Sequence, residues 1–411
     1  MSDLTLVLFD DDTAASWEPF TLTRPAGELL FGALLQRERA ERVLGVRTTA
    51  HLCPDHLLDF EEEGAPPVRS RKHAPTEGAR FFLSSRAVPD FGFDPATQRR
   101  GTGTRPVHVG GEPAGWLVPA GEPPPSLEAL ANPADAEGAG KPIELPGRVL
   151  TRVWQLVLET PDQLGRDIEA LAPDAVPELR EGLHGTGEHG VHLGEGARIE
   201  AGAYLDTTEG PIWLDHGASV RAFTRLAGPA YIGPGSSVLG GTVEAVSIGP
   251  VCKVRGELAE SVCLGYVNKA HDGHIGHAYL GRWVNLGAET TNSDLKNNYG
   301  SIRIWTPNGE VDTEEIKLGS LIGDHAKTGI GLLLNTGTVI GAGSNLFGAE
   351  MPPKYVPPFS WGSGSELTDF RLDKFFEVAE RVMERRGVTL TEGMRRQLQR
   401  AWDRSREDDG A

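Results

Sequence analysis

The sequence predicts an α/β N-terminal domain, then a left-handed parallel β-helix of hexapeptide repeats, then terminal α-helices. Three observations predict it: a six-residue aliphatic beat in the C-terminal half, strand and helix patterns in alternation before it, and a helical stripe after Met351-Pro352-Pro353. The beat runs through Leu193, Ile199 and Leu205, then Leu214, Val220, Leu226, Ile232 and Val238, then Ile248 and Val254. It returns at Leu280 and Leu286, and again at Ile322, Thr328, Leu334, Ile340 and Leu346, often with Gly next, as in Ile232-Gly233 and Ile340-Gly341. A period of six fits neither the 3.6 of an α-helix nor the 2 of an ordinary strand. It fits a coil whose short strands each turn one aliphatic residue inward before a small residue makes the corner. Stacked coils bury a continuous apolar column and satisfy one another's backbone groups.

Residues 1–185 read as the α/β domain. Leu4–Phe9 is a buried strand that stops at Asp10-Asp11-Asp12. Glu28–Leu44 carries apolar residues at 30, 31, 34, 35 and 43 and ends at Gly45, the pattern of a helix with a glycine C-cap. Phe81–Leu83 is a second strand, the Pro/Gly/Ala-rich stretch Pro119–Pro146 a surface excursion or linker, and Arg148–Leu171 one or two helices. The β-helix is expected over 190–350. A helical cap is expected over 365–406, from the stripe Leu372, Phe375, Phe376, Ala379, Val382, Met383 and a second helix at Thr391–Arg404.

Composition excludes several classes. The 411 residues carry a net charge of −18, which repels a nucleic-acid backbone but leaves room for small phosphorylated ligands in a local cationic pocket. Cys53, Cys252 and Cys263 lie far apart, against a disulfide framework. The N-terminus lacks a basic segment followed by an apolar core, and no apolar run approaches about 18 residues, so a cytoplasmic protein without membrane contact is expected.

The beat fails between Ala259 and Ile316, where Lys269, His271, His274, His277, Asn285, Asn298 and Tyr299 crowd a coil otherwise built of aliphatic and small residues. Residues 250–345 resemble the acetyltransferase domain of the bifunctional N-acetylglucosamine-1-phosphate uridylyltransferase/glucosamine-1-phosphate acetyltransferase family. They are closer still to its shorter sugar nucleotidyltransferase relatives. The resemblance rests on Asn268-Lys269-Ala270-His271-Asp272-Gly273, on Val284-Asn285-Leu286-Gly287-Ala288 and on Asn298-Tyr299-Gly300.

That resemblance implies a general base at His271, which takes a proton from a sugar amine as it attacks the thioester of acetyl-CoA. It implies sugar contacts at Asn285, Asn298 and Tyr299, and a sugar phosphate met by Lys269 or Arg255. His274 stands where the family has a tyrosine. The later coils, Gly323–Gly343 with Lys327, would face coenzyme A, and assembly would be a homotrimer. From the residues alone, His271 could instead hydrogen-bond a loop backbone. His271, His274 and His277 are evenly spaced, but three-residue steps turn side chains to different faces, so no tetrahedral metal site is expected.

The N-terminal zone resembles sugar nucleotidyltransferases. By that resemblance Asp10 and Arg24 would bind nucleotide, with Mg²⁺ between the aspartates and the phosphates. Two departures stand out: Asp10–Trp17 holds no glycine to let backbone N–H groups approach phosphates, and Phe81–Leu83 runs into Ser84-Ser85-Arg86. Asp10–Asp12 as a solvated turn and Arg24 as a salt-bridge partner are the plain alternatives. The expected function is therefore transfer to a sugar phosphate or nucleotide sugar, led by acetyl-CoA-dependent acylation of an amino sugar. Nucleotidyl transfer by the N-terminal domain and a non-catalytic sugar-nucleotide-binding scaffold are the alternatives.

Overall fold

A computed structural model describes residues 4–92, 103–135, 141–176, 179 and 182–407. The chain divides into two compact units: Met1–Leu29, Leu34–Val153 and Thr391–Ala411 form the first, Leu30–Ala33 and Trp154–Leu390 the second.

The first unit is built on a mixed seven-stranded sheet in the order 143–145, 105–109, 112–118, 79–84, 4–9, 48–53, 68–70. Leu4–Phe9 lies near its middle, parallel to Ala79–Ser84 and Thr48–Cys53. Alternation sends Leu6 and Leu8 to a core on one face with Phe81, Leu83 and Leu44, and Val7 and Phe9 to the other with Phe82, Leu52 and Trp116.

Two expectations are corrected here. Helix α1 spans Gln36–Leu44 only; Leu30-Phe31 and Leu34-Leu35 form a small two-stranded ladder around Gly32, which has φ 65°. A hairpin with a two-residue turn puts apolar residues at nearly the spacing of a helix face, which is why the segment reads as one helix. Gly45 caps α1 at φ 62°, as the sequence predicts. Pro119–Pro146 is not merely a connector: Leu127–Ala131 is a short helix capped by Ser126, and Ile143–Leu145 pairs in parallel with Val107–Val109 as an edge strand.

In the second unit, helix α2 (Thr160–Leu171) turns Leu164 and Ile168 onto Ala33, Trp213 and Tyr231, while Asp167 accepts the Ala33 N–H at 2.9 Å. The solenoid then rises as parallel coils. One of its faces is a nine-stranded stack from Val191–Leu193 to Tyr355–Val356. Its inward column runs Leu193, Leu214, Ile232, Ile248, Cys263, Leu280, Ile322, Ile340, Val356 in strict register.

The beat does not fail at Ala259. Cys263, Lys269 and Ile275 continue it at six-residue steps, with Lys269 paired to Val254 in the next column. The pattern looked broken because a cysteine and a lysine fill inward positions that an aliphatic count passes over. The true interruption is residues 293–320, an excursion carrying the hairpin Arg303–Thr306/Gly309–Asp312, after which Leu321-Ile322 stacks directly on Tyr279-Leu280.

One corner of the solenoid is left-handed in every coil. Its residues are Gly196, Gly217, Gly235, Val251, Tyr266, Trp283, His325, Gly343 and Phe359, with φ between 54° and 72°. From Gly217 onward, each donates its N–H to a carbonyl at the corner of the coil before, as Tyr266 does to Pro250 and Trp283 to Gly265.

Helix α3 (Leu372–Glu384) covers the solenoid side through buried Phe375, Ala379 and Met383, and Phe375 meets Phe359 edge-on with ring centroids 5.1 Å apart. Helix α4 (Glu392–Glu407) packs in the first unit, where Arg396 and Arg400 pair with Asp59. Among the described residues no helix is long and apolar enough to cross a membrane.

Candidate active site on the solenoid

His271 sits just past the strand Asn268-Lys269, at a corner held from inside. Lys269 occupies an inward position, and its ammonium donates to the carbonyls of Arg255 at 2.8 Å and His271 at 2.7 Å. Burial lowers the Lys269 pKa to about 8, against the opposing pull of Asp272. This is a structural staple, so Lys269 is spent on backbone rather than offered to a phosphate. Arg255 is half-committed as well, with its Nε 3.1 Å from Asp272 Oδ1 at the surface. The His271 imidazole is exposed and has no hydrogen-bond partner among the described residues. It is the His271 carbonyl, not the ring, that ties the loop down.

His274 and His277 belong to a different corner. Asp294 Oδ2 lies 2.8 Å from His277 Nδ1 and 3.9 Å from His274 Nε2, Glu260 lies 3.1 Å from His277 Nε2, and Glu257 lies 3.3 Å from His274 Nδ1. Burial alone would lower the His277 pKa, but the hydrogen bonds it donates to Asp294 and Glu260 raise it to about 9; the Asp294 carboxylate raises His274 too. His277 is thus held as a cation by carboxylates, the reverse of what a metal ligand needs, and His274 is pulled in the same direction. Among the described residues no cluster of His, Cys, Asp or Glu is arranged to hold a metal.

Asn285 lies on a third feature, an outward ladder on one face: Lys253, Asn268, Asn285 and Lys327 stand in register on successive coils. Asn268 Nδ2 donates to Asn285 Oδ1 at 2.8 Å. Asn298 and Tyr299 lie on the 293–320 excursion, where Asn298 accepts the Gly300 N–H and the Tyr299 ring is exposed. Within one chain no hydrogen bond joins either of them to His271 or Asn285.

Sequence reasoning missed the ladder, although a signal for it exists. Once the inward residues are known, each residue before one of them must face out, and those residues read Lys253, Asn268, Asn285, Lys327.

In the first unit, Asp10, Asp11 and Ser84-Ser85-Arg86 gather at the carboxyl ends of the central strands, the place where open α/β sheets bind ligands. The acids are not a solvated turn. Asp10 is fully buried, accepts the Ala26 N–H at 3.0 Å and the Cys53 thiol at 3.4 Å, and has its pKa raised by burial. Asp11 caps the short helix at 12–15 and pairs with Arg86 at 2.8 Å, and Asp12 pairs with Arg71. Arg24 is buried against Glu62 at 2.9 Å and over the Phe60 ring, the plain salt-bridge alternative. Asp11 and Asp12 are committed to arginines while Asp10 Oδ1 is buried without a hydrogen-bond partner, and among the described residues no group of acids is arranged to hold Mg²⁺.

An open α/β sheet domain joined to a β-helix of six-residue coils defines the class. Residues 6–175 match the family described as sugar nucleotidyl transferase. The chain is also similar to a bifunctional sugar-1-phosphate nucleotidylyltransferase/acetyltransferase from Sulfurisphaera tokodaii. The two are 28% identical over 91 residues, 22% of this chain and 23% of the relative, so the chain spans about a quarter of the curated relative it matches. Among solved structures it is similar to an Arabidopsis UDP-N-acetylglucosamine acyltransferase, with a TM-score of 0.30, 10% identity, 52% of this chain and 78% of that one. It is also similar to an N-acyltransferase from Bacillus cereus solved with dTDP-4-amino-4,6-dideoxyglucose and coenzyme A, with a TM-score of 0.22, 14% identity, 49% of this chain and 90% of that one.

Proposed function

We propose that this protein is a transferase acting on sugar phosphates or nucleotide sugars, and that its solenoid transfers an acyl group from acetyl-CoA to an amino sugar. The observation that carries this reading is the His271 corner: an exposed, unpartnered imidazole on a backbone fixed by the buried Lys269. A base must be free to meet its substrate and yet held in place, and this corner supplies both. In the step, the sugar nitrogen attacks the thioester carbonyl carbon while His271 accepts its proton. The C–N bond forms, the C–S bond breaks, and the leaving thiolate takes that proton from His271. Asn285 would orient the sugar. Asn298 and Tyr299 lie apart from His271 within one chain, so the proposal includes a homotrimer in which they complete a neighbour's site.

The test is acetyl-CoA-dependent thiol release with a panel of amino-sugar phosphates. His271→Ala should lower kcat about 10²- to 10⁴-fold with an unchanged melting temperature. A melting shift with nucleotides and none with acetyl-CoA overturns the reading. The second reading, nucleotidyl transfer, is favoured by the family match over 6–175. It predicts Mg²⁺-dependent pyrophosphate release from a nucleoside triphosphate and a sugar 1-phosphate, falling in Arg24→Ala.

A further inference from the structure

The outward ladder is roofed by helix α3, and the two enclose a cavity of about 480 Å³, within the size range of small-ligand sites. Four cations line it: Lys253 and Lys327 from the ladder, Arg385 and Arg386 from the end of α3. No carboxylate lines it, and among the described residues none of the four pairs with one. In a chain with 58 acidic residues against 40 Lys and Arg, four cations left without a counter-charge around one hollow is a strong local inversion. Lys327 Nζ donates to a single carbonyl, that of His325 at 3.1 Å, and burial lowers its pKa to about 8, so a bound anion would ease the cost of its charge.

A second observation comes from the backbone. The corner column uses glycine in three of its first coils, yet the coils at the cavity place Val251, Tyr266, Trp283 and His325 there instead. Each non-glycine residue in that conformation costs about 1–2 kcal/mol, and such outliers gather where a side chain is needed. Tyr266 and Trp283 stack with centroids 4.0 Å apart and form an aromatic wall of the cavity.

We infer that this cavity is a binding site for a small molecule carrying two or more phosphoryl groups. Lys253 and Lys327 are rooted three strand spacings apart, about 14 Å, so their long side chains approach from opposite ends and each meets a different phosphoryl group of one ligand. Asn268 and Asn285, bonded to each other between them, keep further polar atoms for the linking oxygens. The α3 arginines close the site from the opposite side, which gives the C-terminal helix a ligand-binding role besides covering the solenoid. The cavity shares Asn285 with the acyl-transfer reading but not His271, so binding here is tested apart from the His271 chemistry.

The test maps lysine acylation by mass spectrometry on the full-length protein, with inorganic pyrophosphate as the probe. At about ten times its Kd, pyrophosphate should slow labelling of Lys253 and Lys327 about tenfold and leave exposed Lys374 unaffected. The double variant Arg385→Ala/Arg386→Ala should lose that protection while keeping its melting temperature. Coenzyme A and a nucleoside diphosphate, run separately, identify the natural source by which one protects. No protection by pyrophosphate, or equal protection in the double variant, overturns the inference. Protection kept in His271→Ala while thiol release is lost separates it from the acyl-transfer reading.

Discussion

Gly217 and Gly235 turn the same corner, with the same backbone geometry, as Tyr266 and Trp283 a few coils further on. At Gly235 a side chain would meet open space, and nothing is built there. At Tyr266 and Trp283 the chain accepts left-handed strain in two large residues and recovers it through stacking: Tyr266 on Trp283 at 4.0 Å, Trp283 on His325 at 6.2 Å, and His325 edge-on to Phe375 at 5.8 Å. The repeat thus dictates a conformation, while the coil decides whether that conformation merely turns the chain or presents a surface.

The contrast can be broken most strongly at Trp283, which is 6% exposed. Trp283→Ala should cost about 3 kcal/mol or more in urea unfolding, and a loss below about 1 kcal/mol would mean that the aromatic corner packs nothing. Next comes the carboxylate corner. The folded pKa of His277 is raised from 6.5 to about 9, so its contribution is fully present below pH 6.5 and is lost as pH rises through 9. Asp294→Asn should therefore cost about 2 kcal/mol near neutral pH and little above pH 9; a penalty independent of pH would remove the ion pair as its cause. The smallest effect is expected at the glycine end. Gly235→Ala should cost about 1 kcal/mol, from backbone alone, since no neighbour crowds the new methyl. A neutral result there would mean that the corner tolerates side chains freely and that Tyr266 and Trp283 carry no strain.

Much of the fold was legible because it is periodic. The inward positions from Leu205 to Leu346 announced themselves by spacing and are buried as expected, and Leu4–Phe9 and α1's Gly45 cap followed from local pattern. What misled the reading were substitutions inside the pattern. Lys269 holds an aliphatic's place because its ammonium finds two carbonyls, and Leu30–Leu35 mimics a helix face because a tight turn gives similar spacing. The site was legible only in part. Residue type singled out His271, but nothing in the sequence tells that Asp10 and Arg24 point into protein, or that arginines more than a hundred residues after Lys253 share its cavity. Those facts depend on contacts between segments with no common period.

Lys269 also bears on how the solenoid finds its proper stacking. Coils of similar length and similar apolar filling can pair one step out of place, because Val238, Val254, Leu286 and Leu346 are nearly interchangeable wedges. A lysine among them is not interchangeable. The His271 carbonyl travels with Lys269 in its own coil, but only the native alignment adds the Arg255 carbonyl of the coil before, so a slip by one coil would leave a buried charge short of a partner. The same residue that fixes the His271 corner therefore labels its coil, like a single odd tooth that lets a zip close in only one way.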